Sequence, residues 1–205
     1  MTEKDTRMRL IEAATPLFAL KGYTAVSIRE LSTAAEVNSA LITYHFGSKE
    51  GLYEAVLQNQ FDQVDVTLRN AYSHGSDPVE QLRQMVFGLV SVHQQFPYIR
   101  RFMFSELSNP SPYMEKIIKN FIKKLYTLAR VTVEKAIEQG RLREGINPTY
   151  VVIAIAGTIN FYFLAHSVLD DLLVPDLKQD HHYVLQVLDL CFNGIQVRKE
   201  EKLNG

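Results

Sequence analysis

With Pro16 as the exception, the few prolines and glycines of this 205-residue chain sit at points that cut it into segments, and that placement constrains the fold more than any other feature. Between the cuts, apolar residues recur at three- and four-residue steps, the period of a helix with one buried face. No segment alternates with the period of two that a half-buried strand needs. The pattern predicts an all-α chain, with an N-terminal three-helix head and a larger helical C-terminal part.

The first helix is expected from about Asp5 to Leu20, with Leu10, Ile11, Ala14, Leu17 and Phe18 on its apolar face and Gly22 as its C-terminal cap. Pro16 falls inside it and should weaken or bend it, because proline has no N–H to give the preceding turn. Ser27-Ile28-Arg29-Glu30 reads as a capping box that opens a short helix through Leu31, Ala34 and Ala35. After a turn at Glu36-Val37, Asn38 or Ser39 caps a second short helix, Ala40 to Phe46. Ser48 then starts a long helix to about Tyr72. Asp77 and Pro78 open the next, which runs to Gln95. Further helices are expected at Tyr98 to Leu107, Ser111 to Glu138, Pro148 to Leu173 and His181 to Lys199. The domains are drawn at 1–50 and 51–205.

Lys and Arg number 22 against 23 Asp and Glu, so the chain is not polybasic, and at 46% apolar residues it has ample surface to bury. The lone cysteine, Cys191, excludes an intramolecular disulfide framework and a cysteine-based zinc cage, and a reducing, cytoplasmic setting follows as the default. No apolar run follows the polar start Met1 to Asp5, so no signal peptide is expected. Val151 to Leu169 is the most apolar stretch; Gly157, Thr158, Asn160 and His166 interrupt it, and it reads as a buried helix rather than a membrane span.

Residues 27 to 46 form two short helices joined by a tight turn and backed by the first helix, a helix-turn-helix. An α-helix has the width of the DNA major groove, and the N-terminal residues of the second helix of such a pair meet base edges. The wording is also specific. Gly22 to Leu31, then Ala34-Ala35-Glu36-Val37, then Ile42-Thr43-Tyr44-His45-Phe46-Gly47-Ser48-Lys49-Glu50-Gly51-Leu52-Tyr53 resembles the TetR-type family of bacterial one-component regulators. The likeness is close over about residues 5 to 56; beyond them it extends to length and helical character alone.

The resemblance implies a dimeric DNA-binding repressor released by a small ligand. It implies Ser27 and Arg29 at the DNA backbone or groove edge, Asn38, Ser39, Ala40 and Thr43 on the reading face, and Tyr44, His45 and Lys49 at phosphates. Leu31, Ala35, Val37, Leu41, Ile42 and Phe46 would form the small core. Two positions depart from the family pattern. Glu36 stands where glycine is usual at the turn, and would be strained if that position needs a positive φ. Ser39 and Thr43 replace the basic and aromatic residues often found in the reading helix. Residues 1–55 hold six Lys and Arg against seven Asp and Glu, so binding by bulk positive charge is not expected.

For the larger part, a cavity for a small apolar or aromatic effector is expected between the long helices. Phe61, Phe87, His93, Phe102 and Met103 are candidates to line it, with Phe104, Phe121, Tyr126 and Phe161, and with Tyr162 or His166 as polar anchors. The last two helices are expected to pair with their copies in a homodimer, through Ala154 and Gly157 on one and Leu185, Leu188, Phe192 and Ile195 on the other. A dimer on a palindrome would set its two reading helices about one DNA turn apart. No metal or cofactor motif and no catalytic arrangement stands out, so no cofactor, metal or membrane partner is expected and the chain is not read as an enzyme. The rival reading is a helical ligand-carrier or enzyme that keeps the head without using it on DNA.

Overall fold

The computed structural model describes residues 3–72, 77–169 and 180–195; for Glu3, Lys4, His166, Ser167, Leu169, Asp180, Gly194 and Ile195 the description is of the backbone alone. Among the described residues there is no strand. The helices are α1 (Glu3–Lys21), α2 (Ile28–Ala34), α3 (Ala40–Phe46), α4 (Lys49–Ala71), α5 (Pro78–Gln95), α6 (Ile99–Ser108), a π-helical turn (Met114–Lys119), α7 (Asn120–Glu138), α8 (Pro148–Leu169) and α9 (Asp180–Ile195). The expected ends of the last two helices, near Leu173 and Lys199, lie outside the described residues.

The local signals explain most boundaries. Ser27 Oγ accepts from the Glu30 amide at 3.1 Å, and Asn38 Oδ1 accepts from the Ala40 amide at 2.9 Å, so each short helix has a side-chain cap. Asp77 and Asn147 cap α5 and α8 in the same way, at 2.9 Å each. Helix α1 runs through Pro16 without interruption, with the Thr15 hydroxyl donating to the Ile11 carbonyl at 2.7 Å. The π-helical turn has no counterpart among the sequence expectations, because an apolar periodicity does not distinguish it from the α-helix it precedes.

The chain forms two compact units. The first joins 1–66 to 93–122, and its core holds Leu10, Ile11, Phe18, Leu31, Ile42, Leu52, Val56, Leu57, Ile99, Phe102 and Ile118. The second joins 67–92 to 123–205 and packs Val79, Leu82 and Val90 of α5 with Val133 and Ala136 of α7, Val152, Ile155, Ile159 and Tyr162 of α8, and Val184, Leu188 and Phe192 of α9. Helix α8 is apolar nearly all round but is not covered on every face by its own chain. Tyr150, Ile153, Phe161, Leu164 and Val168 are exposed along its outer side, and by length and composition alone the helix could cross a membrane.

Candidate nucleic-acid interface

Helix α3 divides its side chains cleanly. Ile42 is fully buried on the inner face, while Ser39, Ala40, Thr43 and Tyr44 are exposed on the outer face, Tyr44 at 70%. The hydroxyls of Ser39, Thr43 and Tyr44 can each donate and accept, the chemistry that base edges and phosphate oxygens require. His45 is half-buried, with its ring edge against Tyr44. Asn38 is exposed, yet its side-chain oxygen is engaged in capping, so it fixes where α3 begins.

The turn before α3 is a Schellman motif. The Val37 amide donates to the Ser32 carbonyl at 3.0 Å and the Glu36 amide to the Thr33 carbonyl at 3.1 Å. That geometry puts the linking residue in the left-handed region, and Glu36 has φ 54°. The exit of α7 uses the same pair of bonds with Gly140 at φ 64°. The concern raised by Glu36 is therefore met: an L-residue occupies a glycine conformation. Arg9 holds the turn from α1, donating to the Ala35 carbonyl at 2.8 Å and lying 3.6 Å from the Glu36 carboxylate.

Lys49, expected at a phosphate, is engaged within the head. Its ammonium donates to the carbonyls of Tyr23 at 3.0 Å and Val26 at 2.9 Å, and lies 4.3 Å from the centre of the Tyr23 ring. Two of its three N–H donors are thus committed to the loop that leads into α2. Lys21 pairs with Glu30, and Arg7 lies over the Phe46 ring. Among the described residues of the head, Arg29 on α2 is the cation left exposed and unpaired.

Behind this face the α4 start is tightly fitted. A Cβ on Gly51 would lie 2.0 Å from the Phe46 carbonyl oxygen, so the α3–α4 corner admits glycine alone without a shift. Tyr23 donates to Glu50; that bond, the Glu50 backbone amide and Ser48 hold the Glu50 carboxyl down to about 2. Burial, and then the bond to Glu50, push Tyr23 up to about 12. Tyr53 packs edge-on against Phe18 and at a tilt against Tyr23, with ring centroids 5.1 Å away in each case. Its hydroxyl donates at 2.6 Å to Glu106, a buried carboxylate that also accepts from Ser111 Oγ at 2.7 Å and Ser111 N at 3.0 Å. Sequence reasoning missed Glu106. The signal was there: it lies at a helical step from Ile99 and Phe102, where a charged residue must bring its own donors.

The residues expected to line one cavity are divided. Phe61, His93, Phe102, Met103, Phe104 and Phe121 fall in the first unit; Phe87, Tyr126, Phe161 and Tyr162 fall in the second; His166 lies outside the described side chains. Phe61 packs edge-on against Phe121 at 5.2 Å, and Phe104 is exposed. Phe87 stacks on His181 at 5.4 Å, Tyr162 is buried and stacks on Tyr183 at 3.9 Å, and Phe161 points off the outer face of α8. Tyr126 alone of the set lines the apolar cleft of the second unit, about 60 Å³ enclosed by Leu68, Leu82, Met85, Leu89, Leu125, Val133 and Ile155. Aliphatic residues that the aromatic-led reading passed over make most of that wall.

The residues expected at the subunit interface fall into two groups. Leu188 and Phe192 face the core of their own unit, buried against α5 and α8. Ala154, Gly157 and Leu185 are exposed, and Ile195 lies outside the described side chains.

Comparison with known proteins agrees with the head and extends beyond it. Residues 10–56 match the bacterial regulatory proteins of the tetR family, and residues 78–191 match the C-terminal domain of the HTH-type transcriptional dual regulator CecR. The chain is 31% identical over 137 residues to the probable HTH-type transcriptional regulator YttP of Bacillus subtilis, covering 66% of each. It is 26% identical over 199 residues to the HTH-type transcriptional repressor NicS of Pseudomonas putida, covering 93% of this chain and 92% of that one. The solved ketosteroid transcriptional regulator KstR2 of Mycobacterium tuberculosis has the same fold, with a TM-score of 0.74 at 19% identity over 94% of this chain and 95% of that one. With its head and more than half of its length matched to regulators of one build, the chain belongs to the TetR family of bacterial transcriptional regulators.

Proposed function

We propose that this regulator is a cytoplasmic repressor that binds a palindromic operator as a homodimer and is released by a small apolar or aromatic effector. Residues 1–50 carry the DNA-binding part and 51–205 the effector-binding and dimerisation part. The observation that carries the DNA reading is the two-sided α3, with Ile42 anchored and Ser39, Ala40, Thr43 and Tyr44 turned out. Ser27, Arg29, Asn38 and His45 flank that face, and Lys49 supports it from behind by holding the loop into α2.

The outer side of α8 supports the dimer. Ile153, Phe161, Leu164 and Val168 are exposed there, and the small residues Ala154 and Gly157 leave room for a second helix to approach closely. The apolar cleft of the second unit supports the effector class, since Tyr126 is its one phenol and no charged residue lines it.

Gel retention with DNA from upstream of the gene tests the reading. The wild-type protein should select one sequence over competitor DNA. Arg29→Ala combined with Tyr44→Ala should weaken that retention by about tenfold or more with an unchanged helical signal. A wild-type protein with no sequence preference would favour the rival ligand-carrier. Sedimentation checks the dimer: Phe161→Glu should give a monomer at micromolar concentration.

A further inference from the structure

The face that α3 turns outward is marked by what it lacks. Residues 38–46 read Asn-Ser-Ala-Leu-Ile-Thr-Tyr-His-Phe, with no Arg, Lys, Gln, Asp or Glu among them. Guanine is read most strongly by a bidentate Arg or Lys, adenine by a bidentate Asn or Gln, and cytosine by a carboxylate. Of these types the segment holds Asn38 alone, and its Oδ1 is engaged by the Ala40 amide at 2.9 Å. His45 is half-buried beside Tyr44. Neighbouring cations do not fill the gap: Arg9 is held by the Ala35 carbonyl, Lys21 by Glu30 and Lys49 by two loop carbonyls. Arg29 stands on α2 rather than on α3.

What the face does carry is methyl groups. Ala40 and Thr43 are both exposed and stand three residues apart, so they share one side of the helix. In the major groove the one apolar group that any base presents is the C5 methyl of thymine. Three residues of helix advance about 4.5 Å, little more than the roughly 3.4 Å between base pairs, so the two methyls suit neighbouring pairs. The register is fixed from behind. Ile42 is fully buried, and the Glu36 turn and the Asn38 cap set where α3 begins. The Ser39 and Thr43 hydroxyls donate to or accept from several bases, so they add affinity without selecting one.

Resting on the operator-binding reading above, we infer that α3 reads thymine: each half-site holds thymines on neighbouring base pairs, recognised through their C5 methyls by Ala40 and Thr43.

Selection from a random duplex library with the full-length protein supplies the preferred site. Deoxyuridine then replaces thymidine one position at a time; it pairs with adenine unchanged and lacks only the methyl. Fluorescence anisotropy should show a loss of about fourfold for each contacted thymine, the effect of one buried methyl. Thr43→Ser keeps the hydroxyl and removes the methyl. It should bind the thymine site about fourfold more weakly than wild type, and the deoxyuridine site equally well. Ala40→Gly should abolish the discrimination at the neighbouring position. A loosened helix would weaken binding to both duplexes alike, so the thymine-to-deoxyuridine ratio isolates the methyl contact.

A selected site without thymines in its half-sites, thymines that deoxyuridine replaces without loss, or a ratio unchanged in both variants would each overturn the inference and leave operator binding intact. A wild-type protein that selects no sequence would overturn the operator reading itself, and this inference with it.

Discussion

Lys49 Nζ donates to the Val26 carbonyl at 2.9 Å, so the first residue of α4 is fastened to the last loop residue but one before α2. The same ammonium reaches Tyr23 O and the Tyr23 ring. A residue expected at the DNA backbone is thereby a brace within the head. Lys49→Met should lower the stability of the protein by about 1–3 kcal/mol, the range for hydrogen bonds to a charged donor. Thermal melting without DNA checks this. A variant that melts like the wild type while losing only DNA affinity would return Lys49 to the phosphate.

Glu36 occupies a left-handed position at φ 54°. Glu36→Gly should remove a conformational cost of about 1–2 kcal/mol, partly offset by the greater freedom of glycine in the unfolded chain. The expected net gain is about 0.5–1 kcal/mol, with a melting point raised by about 1–4 °C. The lost contact to Arg9 is exposed and contributes little. Unchanged or reduced melting would show that the pairing outweighs the strain.

Gly51→Ala should act in the opposite direction. Its Cβ would meet the Phe46 carbonyl oxygen, a backbone atom that cannot rotate away. The expected loss is about 1–3 kcal/mol, together with weaker operator binding, because relief requires moving the end of α3. Chemical denaturation and gel retention on the same sample check both effects.

Glu50 and Tyr23 predict a stability plateau with two edges. The Glu50 carboxyl falls from 4.5 unfolded to about 2 folded, so on acidification the unfolded chain takes up its proton first. Its contribution is present above pH 4.5 and is lost as the pH falls towards 2. Tyr23 rises from 10.0 to about 12, so its contribution is present below pH 10 and is lost as the pH climbs to 12. Denaturation midpoints across pH should fall at both ends, and Glu50→Gln should flatten the acid edge. An acid edge identical in the variant would remove Glu50 as its cause.

With Lys21, Lys49, Arg7 and Arg9 engaged inside the head, Arg29 is the main cation free to meet phosphate. Operator affinity should therefore respond weakly to salt, with a log–log slope no steeper than about −4 per dimer. A slope near about −10 would mean that many more ion pairs form on DNA than the head offers here.

The head was legible because its signals are local. Ser27, Asn38 and Gly47 each act on amides or dihedrals within a few residues, and the caps formed where the sequence put them. The site behind it was less so, since long-range partners leave little trace in spacing. Glu106 with Tyr53, and Arg9 with Ala35, are joined only by packing. In the second unit, apolar periodicity identified the helices but not which neighbour each face meets. Phe161 and Phe192 are both aromatic residues on apolar helices; one is exposed and the other is core.

The division of the chain into interleaved units bears on how the protein is made. The first unit is interrupted by residues 67–92 and completed by 93–122. When the ribosome has released the DNA-reading helices, Tyr53 and Val56 still lack Ile99, Phe102 and Ile118, and nascent chains must carry that greasy surface until later codons are translated. A fragment ending after α4 should therefore aggregate where the full chain does not.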